Sequence, residues 1–139
     1  AVLLAEHGYD VTGVDLSPRM IDLARTKVRS AGHSVLLEVG NAAEPELDAG
    51  GFDAVLARHV VWAMPDPAAA LHRWAALLAP GGRFVLVEGR WSTGAGLSED
   101  SLRALVSPLM SHIDVVRLSD PTLWGKEIDD ERYLLLAKP

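Results

Sequence analysis

The sequence predicts an α/β fold with a doubly wound, mostly parallel sheet, and three observations favour it. Short, nearly continuous apolar runs, typical of strands covered on both faces, recur at residues 11–14, 35–39, 54–57 and 84–87. Segments with helical periodicity alternate with these runs. Parallel strands need crossover helices, so the alternation predicts a mostly parallel sheet with helices on both sides.

The first elements carry clear end signals. Residues 1–8 are typical of the last part of a helix that ends at Gly8, and the first apolar run follows. Ser17 and Pro18 are typical of the start of a helix, and Gly32 is typical of its end. We therefore expect an amphipathic crossover helix between the first two strands.

Two further helices are predicted after the third and fourth runs. Asp66 and Pro67 begin the first of them, and Pro80-Gly81-Gly82 is expected to break it sharply before the next strand. Ser98 caps the second, in which Pro108 is expected to produce a kink or a split.

The last part of the chain predicts two more strands, at residues 114–118 and 133–137. A polar, turn-rich stretch links them, so we expect them to pair as an antiparallel end of the sheet. No repeat, low-complexity tract or linker divides the sequence. Its 139 residues suit one domain, residues 1–139.

Composition disfavours several classes of function. The formal net charge of −6 argues against binding to the phosphate backbone of nucleic acids. The absence of cysteine excludes disulfides, thiolate nucleophiles and Cys-ligated zinc, and no histidines have metal-ligand spacing, so no metal site is expected. With no leader and no apolar run near ~20 residues, we expect a soluble, cytoplasmic protein with a small-molecule partner.

Residues that follow the strands are the candidate binding residues, because ligands of such folds bind beyond the carboxyl ends of the strands. Asp15 follows the first run, and its carboxylate can accept hydrogen bonds from both hydroxyls of a ribose. Its alternative role, capping the next helix, is already served by Ser17. Asn41 can donate to and accept from an adenine edge, beside the small Ala42, although a turn role after Gly40 is equally open.

Four motifs in order carry a family resemblance that covers almost the whole chain. They are Val-Thr-Gly-Val-Asp-Leu-Ser-Pro-Arg-Met (11–20), Gly-Asn-Ala-Ala-Glu (40–44), Phe-Asp-Ala-Val (52–55) and Leu-Ala-Pro-Gly-Gly-Arg-Phe-Val-Leu-Val (78–87). The chain resembles the class I S-adenosylmethionine-dependent methyltransferases, and within them the small-molecule, type 11 branch near the quinone-biosynthesis enzymes. The resemblance implies a Rossmann-like fold and S-adenosylmethionine as cofactor.

The resemblance also implies site residues. Asp15 would hold the cofactor ribose, and Leu16 would pack on the adenine. Family members usually have Asp in the turn that binds the adenine amino group, whereas this chain has Asn41, whose amide oxygen carries no formal charge. Arg58 and His59, which follow the third apolar run, would flank the methionine moiety and the transferring methyl group.

The family's first motif, an acidic residue and Gly-x-Gly-x-Gly after a first strand, has no counterpart in this sequence. Only glycine lets the main chain approach the methionine end of the cofactor so closely. The sequence starts at Ala1 rather than at Met. We expect that the first strand, its glycine loop and part of a helix are missing, and that the chain alone binds the cofactor poorly.

His59 is the candidate general base, because it is the one histidine of five at the carboxyl end of a strand. The alternative is a packed, structural histidine. Trp62 and Trp91 lie at the same predicted edge and are candidates to line the acceptor pocket or to face the sulfonium, with core packing as the alternative. The role of Trp124 stays open.

The sequence thus predicts methyl transfer from S-adenosylmethionine to oxygen, nitrogen or carbon of a small-molecule acceptor. Two other functions stay open. One is a non-catalytic, methyltransferase-like binding or scaffold subunit. The other is an NAD(P)-dependent oxidoreductase, which would also have an acid after the second strand of its fold, but neither Tyr9 nor Tyr133 has a lysine one helical turn later.

Overall fold

The computed structural model describes all 139 residues, which form two compact units, Ala1–Glu46 and Leu47–Pro139. Each unit contains its own β-sheet. None of the helices has both the length and the apolar character that crossing a membrane requires.

The first unit has a two-stranded parallel sheet and two helices. In chain order these are helix α1 (Val2–Glu6), strand β1 (Thr12–Asp15), helix α2 (Pro18–Ser30) and strand β2 (Leu36–Val39). The two strands pair in parallel, and the last pair is Asp15 opposite Val39. The carboxyl ends of β1 and β2 are therefore adjacent.

Helix α2 forms as predicted, because its start signals are both used. The Ser17 side chain accepts a hydrogen bond from the Met20 N–H at 3.4 Å, and Pro18 occupies the first turn, where no N–H is needed. The apolar face of the helix packs on β2 in a small core whose buried members are Ile21, Val28 and Leu37.

The second unit has a four-stranded mixed sheet. Its strands are β3 (Phe52–Arg58), β4 (Leu78–Arg90), β5 (His112–Arg117) and β6 (Glu131–Lys138), and its helices are α3 (Pro67–Leu77) and α4 (Glu99–Val106). Short 3-10 helices follow β3 and β5 at Val61–Ala63 and Pro121–Leu123. The strand order is β3-β4-β6-β5; β3 and β4 are parallel, and β6 is antiparallel to both β4 and β5.

The core of the second unit lies between this sheet and its helices. Alternate residues of β4 point to the same face, so Phe84, Leu86 and Glu88 are all buried in it. The helices contribute Leu71 and Trp74 from α3 and Leu102 and Val106 from α4.

The α/β class and the antiparallel C-terminal strand are confirmed. All six predicted strands form, two in the sheet of the first unit and four in that of the second. The assignment of residues 1–139 to a single domain stays a prediction.

Two helix ends differ from expectation. Helix α3 ends at Leu77, before Pro80-Gly81-Gly82, because Leu78 already pairs with Phe52 of β3. Helix α4 ends at Val106, so Pro108 lies beyond the helix and does not kink it. A proline has no N–H to continue the helical hydrogen bonds, which is why the helix stops short of it.

Tyr133 of β6 gives a direct test of this core. Its ring is fully buried, and its hydroxyl lies 3.1 Å from the carbonyl oxygen of Leu97 and 3.0 Å from that of Ser98, at the start of α4. We expect Tyr133→Phe to lower the free energy of unfolding by roughly 1 kcal/mol, the net contribution of one hydrogen bond. Urea denaturation measures this, with the exposed Tyr9→Phe as control; equal stability of the two variants would contradict the assigned bond.

Candidate functional site

The carboxyl ends of β1 and β2 bring together the residues predicted to bind a nucleoside. The Gly40 N–H donates to the Asp15 carbonyl at 3.0 Å, which extends the parallel pairing beyond the strands. The loops that carry Asp15-Leu16 and Asn41-Ala42 therefore lie side by side in the first unit.

Asp15 is exposed and its carboxylate has a defined direction. Oδ1 accepts a hydrogen bond from the Ser17 N–H at 2.8 Å, which closes a turn between β1 and α2. The other carboxylate oxygen accepts no hydrogen bond within the protein, and the group forms no ion pair. Asp15 thus supports the helix start, a role that the sequence assigned to Ser17 alone, and still presents a charged acceptor to a ligand.

Leu16 and Asn41 complete this group. The Leu16 side chain is 74% exposed, a large apolar surface directly beside a carboxylate. Asn41 Oδ1 accepts a hydrogen bond from the Ala43 N–H at 3.0 Å, so its turn role is present. An amide oxygen has a second lone pair and the amide nitrogen has two donors, so this bond leaves capacity for a base edge. The Asp15 carboxylate is suited to the hydroxyls of a ribose, and the Leu16 side chain beside it is suited to the face of a base. Together they suit an adenosine group.

His59 lies at the carboxyl end of β3 in the second unit and has an unusual backbone. Its φ is 55°, and it is the one residue other than glycine with a positive φ. Its N–H donates to the Val87 carbonyl at 2.8 Å, which fixes the turn to β4. A left-handed conformation costs an L-residue roughly 1–2 kcal/mol, and such strain is concentrated at functional sites.

Four rings lie together around this turn, and we call them the aromatic cluster: His59, Trp62, Trp91 and Trp124. The ring centroids of His59 and Trp91 are 5.3 Å apart, as are those of Trp62 and Trp91, and both pairs have edge-to-face geometry. The Trp124 centroid is 6.3 Å from that of His59. Trp62 is 40% exposed, so the cluster has an open aromatic surface.

Two arginines lie against one ring of this cluster, that of Trp124. The guanidinium carbon of Arg132 lies 4.3 Å from the Trp124 centroid and that of Arg58 lies 5.6 Å from it, within cation–π range. Burial, followed by the positive charges of Arg58 and Arg132, lowers the pKa of His59 from its ordinary value. His59 Nδ1 is buried without a hydrogen-bond partner in the protein. The lowered pKa favours the neutral imidazole, which is the form of histidine that can act as a base.

Asp130 holds the turn before β6 against the loop after β4. It accepts a hydrogen bond from the Ser92 N–H at 2.6 Å and forms an ion pair with Arg132 at 3.1 Å. These two interactions, the main-chain one first, lower the pKa of its carboxyl group. The loop that carries Trp91 is therefore tied to the segment that carries the Arg132 guanidinium.

The structure places all predicted site residues at carboxyl strand ends, in two groups. Asp15, Leu16, Asn41 and Ala42 lie in the first unit, and Arg58, His59, Trp62 and Trp91 lie in the second; their binding roles stay predictions. No three His, Asp or Glu side chains are arranged to hold a metal ion.

Around the second group, sequence reasoning missed Arg132, left the role of Trp124 open and gave no specific role to Glu88. The position of Glu88 directly after the apolar run 84–87 predicts that it lies at the carboxyl end of a strand. Trp124 lies 33 residues beyond Trp91, as the residue numbers show, in a turn-rich stretch without periodicity, so no local pattern brings it to this edge.

Comparison with known families gives a match over most of the chain. The family model described as "Methyltransferase domain" matches residues 1–86. An uncharacterized methyltransferase of Mycobacterium tuberculosis is 40% identical over 90 residues, which are 65% of this chain and 34% of that protein. A ubiquinone biosynthesis O-methyltransferase of Xanthomonas axonopodis pv. citri is 34% identical over 84 residues, 60% of this chain and 35% of that protein. The chain thus matches about a third of the length of these relatives.

Solved structures share the fold at low identity. The [4+2]-cyclase SpnF has a TM-score of 0.79 at 20% identity and covers 94% of this chain and 67% of its own. Magnesium protoporphyrin IX methyltransferase from Synechocystis, solved with bound S-adenosylmethionine, has a TM-score of 0.77 at 19% identity and covers 100% of this chain and 64% of its own. These likenesses confirm the predicted Rossmann-like fold.

Proposed function

Because this chain belongs to the methyltransferase domain family, we propose that the whole protein transfers a methyl group from S-adenosylmethionine to a small-molecule acceptor. The observation that carries this proposal is the family match over residues 1–86, which includes Asp15, Asn41 and His59. Relatives named for ubiquinone biosynthesis and for magnesium protoporphyrin support an acceptor of small-molecule size.

The first unit supplies the groups for the adenosine half of the cofactor. Asp15 accepts hydrogen bonds from the ribose hydroxyls with the oxygen that Ser17 leaves free. Leu16 covers a face of the adenine with its exposed side chain, and Asn41 contacts the edge of the ring beside Ala42. When bound, the cofactor supplies an activated methyl group on a positively charged sulfur.

The second unit supplies the groups for the acceptor. A nucleophile on the acceptor would attack the methyl carbon in line with its bond to sulfur, that bond would break, and the neutral thioether would leave. The protein therefore chiefly aligns the acceptor, excludes water and removes a proton. Trp62 and Trp91 line the acceptor site with aromatic surface, and the neutral imidazole of His59 accepts the acceptor's proton. Arg58 contributes positive charge beside His59 in this unit. No covalent intermediate with the protein is needed.

The open aromatic surface favours a flat, apolar or aromatic acceptor. The net charge of −6 disfavours a nucleic acid substrate. A cytoplasmic location stays a prediction of the sequence.

The experiment is methyl transfer by the full-length protein. It is incubated with S-adenosylmethionine labelled in the methyl group and a panel of phenols, amines and quinols, and products are identified by mass spectrometry. Label in at least one acceptor supports the proposal. Cofactor binding without transfer to any acceptor would favour the non-catalytic alternative.

The pH profile tests the role of His59 as a base. Its lowered pKa means that the neutral, base-competent form persists below the ordinary histidine value of about 6.5. We expect the acid limb of kcat against pH to have its midpoint below about 6.5. Steady-state rates between pH 5 and 8 measure it, and a midpoint above the ordinary value would contradict the assigned environment.

The lowered pKa of His59 also makes the stability of the folded state depend on pH. The unfolded chain takes up the His59 proton first as the pH falls, because its pKa is the higher one. Protonation therefore removes stability from about pH 6.5 downward, until the folded-state pKa is passed, and His59 contributes no pH dependence above that window.

A further inference from the structure

Glu88 is the one acidic or basic side chain that the fold buries completely. It lies near the carboxyl end of β4, on the same face as Phe84 and Leu86, and has no solvent exposure. Removing a carboxylate from water is costly unless hydrogen bonds compensate it. The contacts of Glu88 therefore indicate what the fold gains from this position.

Those contacts all go to the turn that follows His59. Oε1 of Glu88 accepts hydrogen bonds from the Val60 N–H at 2.9 Å and from the Val61 N–H at 2.7 Å. These are the first two main-chain donors after His59, at the start of the 3-10 helix Val61–Ala63, where no helical acceptor is available. Oε2 has no hydrogen-bond partner in the protein.

The same turn sets the directions of two rings in the aromatic cluster. His59 keeps its left-handed backbone immediately before the two N–H groups that Glu88 holds. The Trp62 indole N–H donates to the His59 carbonyl at 3.1 Å, so the turn also orients that ring. A shift of the Val60 and Val61 amides would move the His59 imidazole relative to Trp91, its neighbour at 5.3 Å.

We propose that Glu88 is a positioning residue, which holds the turn at Val60 and Val61 so that the His59 ring and Trp62 face the acceptor. This inference rests on the proposed role of His59 in methyl transfer. Burial raises the pKa of the Glu88 carboxyl group, while the main-chain hydrogen bonds from Val61 and Val60 oppose that shift. The turn requires an acceptor oxygen within hydrogen-bond distance of the Val60 and Val61 N–H groups, whether or not that oxygen carries a charge.

Two conservative variants separate the effect of the length of the Glu88 side chain from the effect of its charge. Glu88→Gln keeps an acceptor oxygen at the same distance and loses the charge, whereas Glu88→Asp keeps the charge and withdraws the acceptor by one methylene. In the full-length protein we expect Glu88→Gln to keep kcat within about threefold and Glu88→Asp to lower it about tenfold, since small misplacements of a reacting group are costly. The dissociation constant for S-adenosylmethionine stays unchanged in both.

The matched control is Glu131→Ala. Glu131 also accepts a main-chain hydrogen bond, from the Glu99 N–H at 3.0 Å, but it anchors the start of α4 rather than the turn after β3. Its loss is expected to lower thermal stability and to leave kcat unchanged at a temperature where the variant is folded.

A spectroscopic readout keeps this test independent of catalysis. The proton NMR signal of the His59 imidazole, assigned by its absence in a His59→Asn variant, reports the position of the ring next to Trp91. We expect the signal to move in Glu88→Asp and to stay in place in Glu88→Gln. If it moves as expected while no acceptor is methylated, the proposed function fails and the positioning holds.

Two results would overturn the inference. One is a His59 signal that is the same in the Asp and Gln variants. The other is the reverse order of activity, with the Asp variant active and the Gln variant inactive, because that order would give Glu88 a role that depends on its charge.

Discussion

Replacing His59 with asparagine is expected to lower kcat for methyl transfer by about 100- to 10,000-fold, the usual contribution of a positioned general base. Asparagine is the sharpest choice because it tolerates the left-handed backbone that His59 adopts at φ 55°. The fold and the neighbouring turn are therefore preserved, and only the imidazole is lost. Steady-state kinetics on the full-length protein give kcat, and calorimetric titration gives the affinity for S-adenosylmethionine, which is expected to change little.

Two further variants complete this test. His72→Asn removes an exposed histidine of α3 and is expected to leave kcat unchanged. His59→Gly relieves the backbone strain as well as removing the ring, so we expect lost turnover without lost thermal stability. Normal turnover in His59→Asn would assign His59 to packing within the aromatic cluster.

Replacing Asp15 with alanine is expected to weaken binding of S-adenosylmethionine by about 1.5–3 kcal/mol, or roughly 10- to 150-fold in the dissociation constant. The reason is the loss of a charged acceptor for two ribose hydroxyls, since the carboxylate is exposed and only one of its oxygens is used by the protein, at 2.8 Å from the Ser17 nitrogen. Calorimetric titration of the full-length protein measures the change.

Asp15→Asn distinguishes ligand binding from support of the turn. The amide oxygen can still accept the Ser17 N–H, so helix α2 is expected to keep its start, whereas the charged acceptor is lost. Asp10→Ala, an exposed acid that precedes the same strand, serves as the control and is expected to bind the cofactor normally. Equal affinity in Asp15→Ala and Asp10→Ala would refute the ribose assignment.

Local chemistry made much of the fold predictable from the sequence. The helix caps are Ser17, Asp66 and Ser98, and each side chain accepts the expected hydrogen bond from the main-chain N–H three residues later. Because this contact is so local, a short sequence pattern is enough to predict it. The strand ends that carry Asp15 and His59 were found for the same reason, because apolar runs in an alternating pattern reveal where strands stop.

The rest of the site depends on contacts between distant segments. The Trp124 ring reaches the aromatic cluster from the turn-rich stretch before β6, and Arg132 stacks on it at 4.3 Å. Glu88 meets the amides of Val60 and Val61 because β3 and β4 are parallel neighbours with a fixed register. No periodic pattern in the sequence predicts contacts between such distant residues. The identity of residue 59 as histidine also does not predict its left-handed backbone conformation.

Family membership and detailed chemistry rest on different observations. The family match covers residues 1–86, which contain Asp15, Leu16, Asn41 and His59. Trp91, Trp124 and Arg132 lie beyond that range, so the acceptor side depends on this chain's own structure. The similar fold of a protein described as a [4+2]-cyclase shows why the reaction has to be tested at the site itself.

The most direct measurement of the central claim is a calorimetric comparison of two cofactors on the full-length protein. We expect saturable, one-site binding of S-adenosylmethionine that is weakened in Asp15→Ala, and no saturable binding of NAD(H) or NADP(H). Saturable binding of a nicotinamide cofactor without binding of S-adenosylmethionine would contradict the account and assign the Asp15 carboxylate to a different nucleotide.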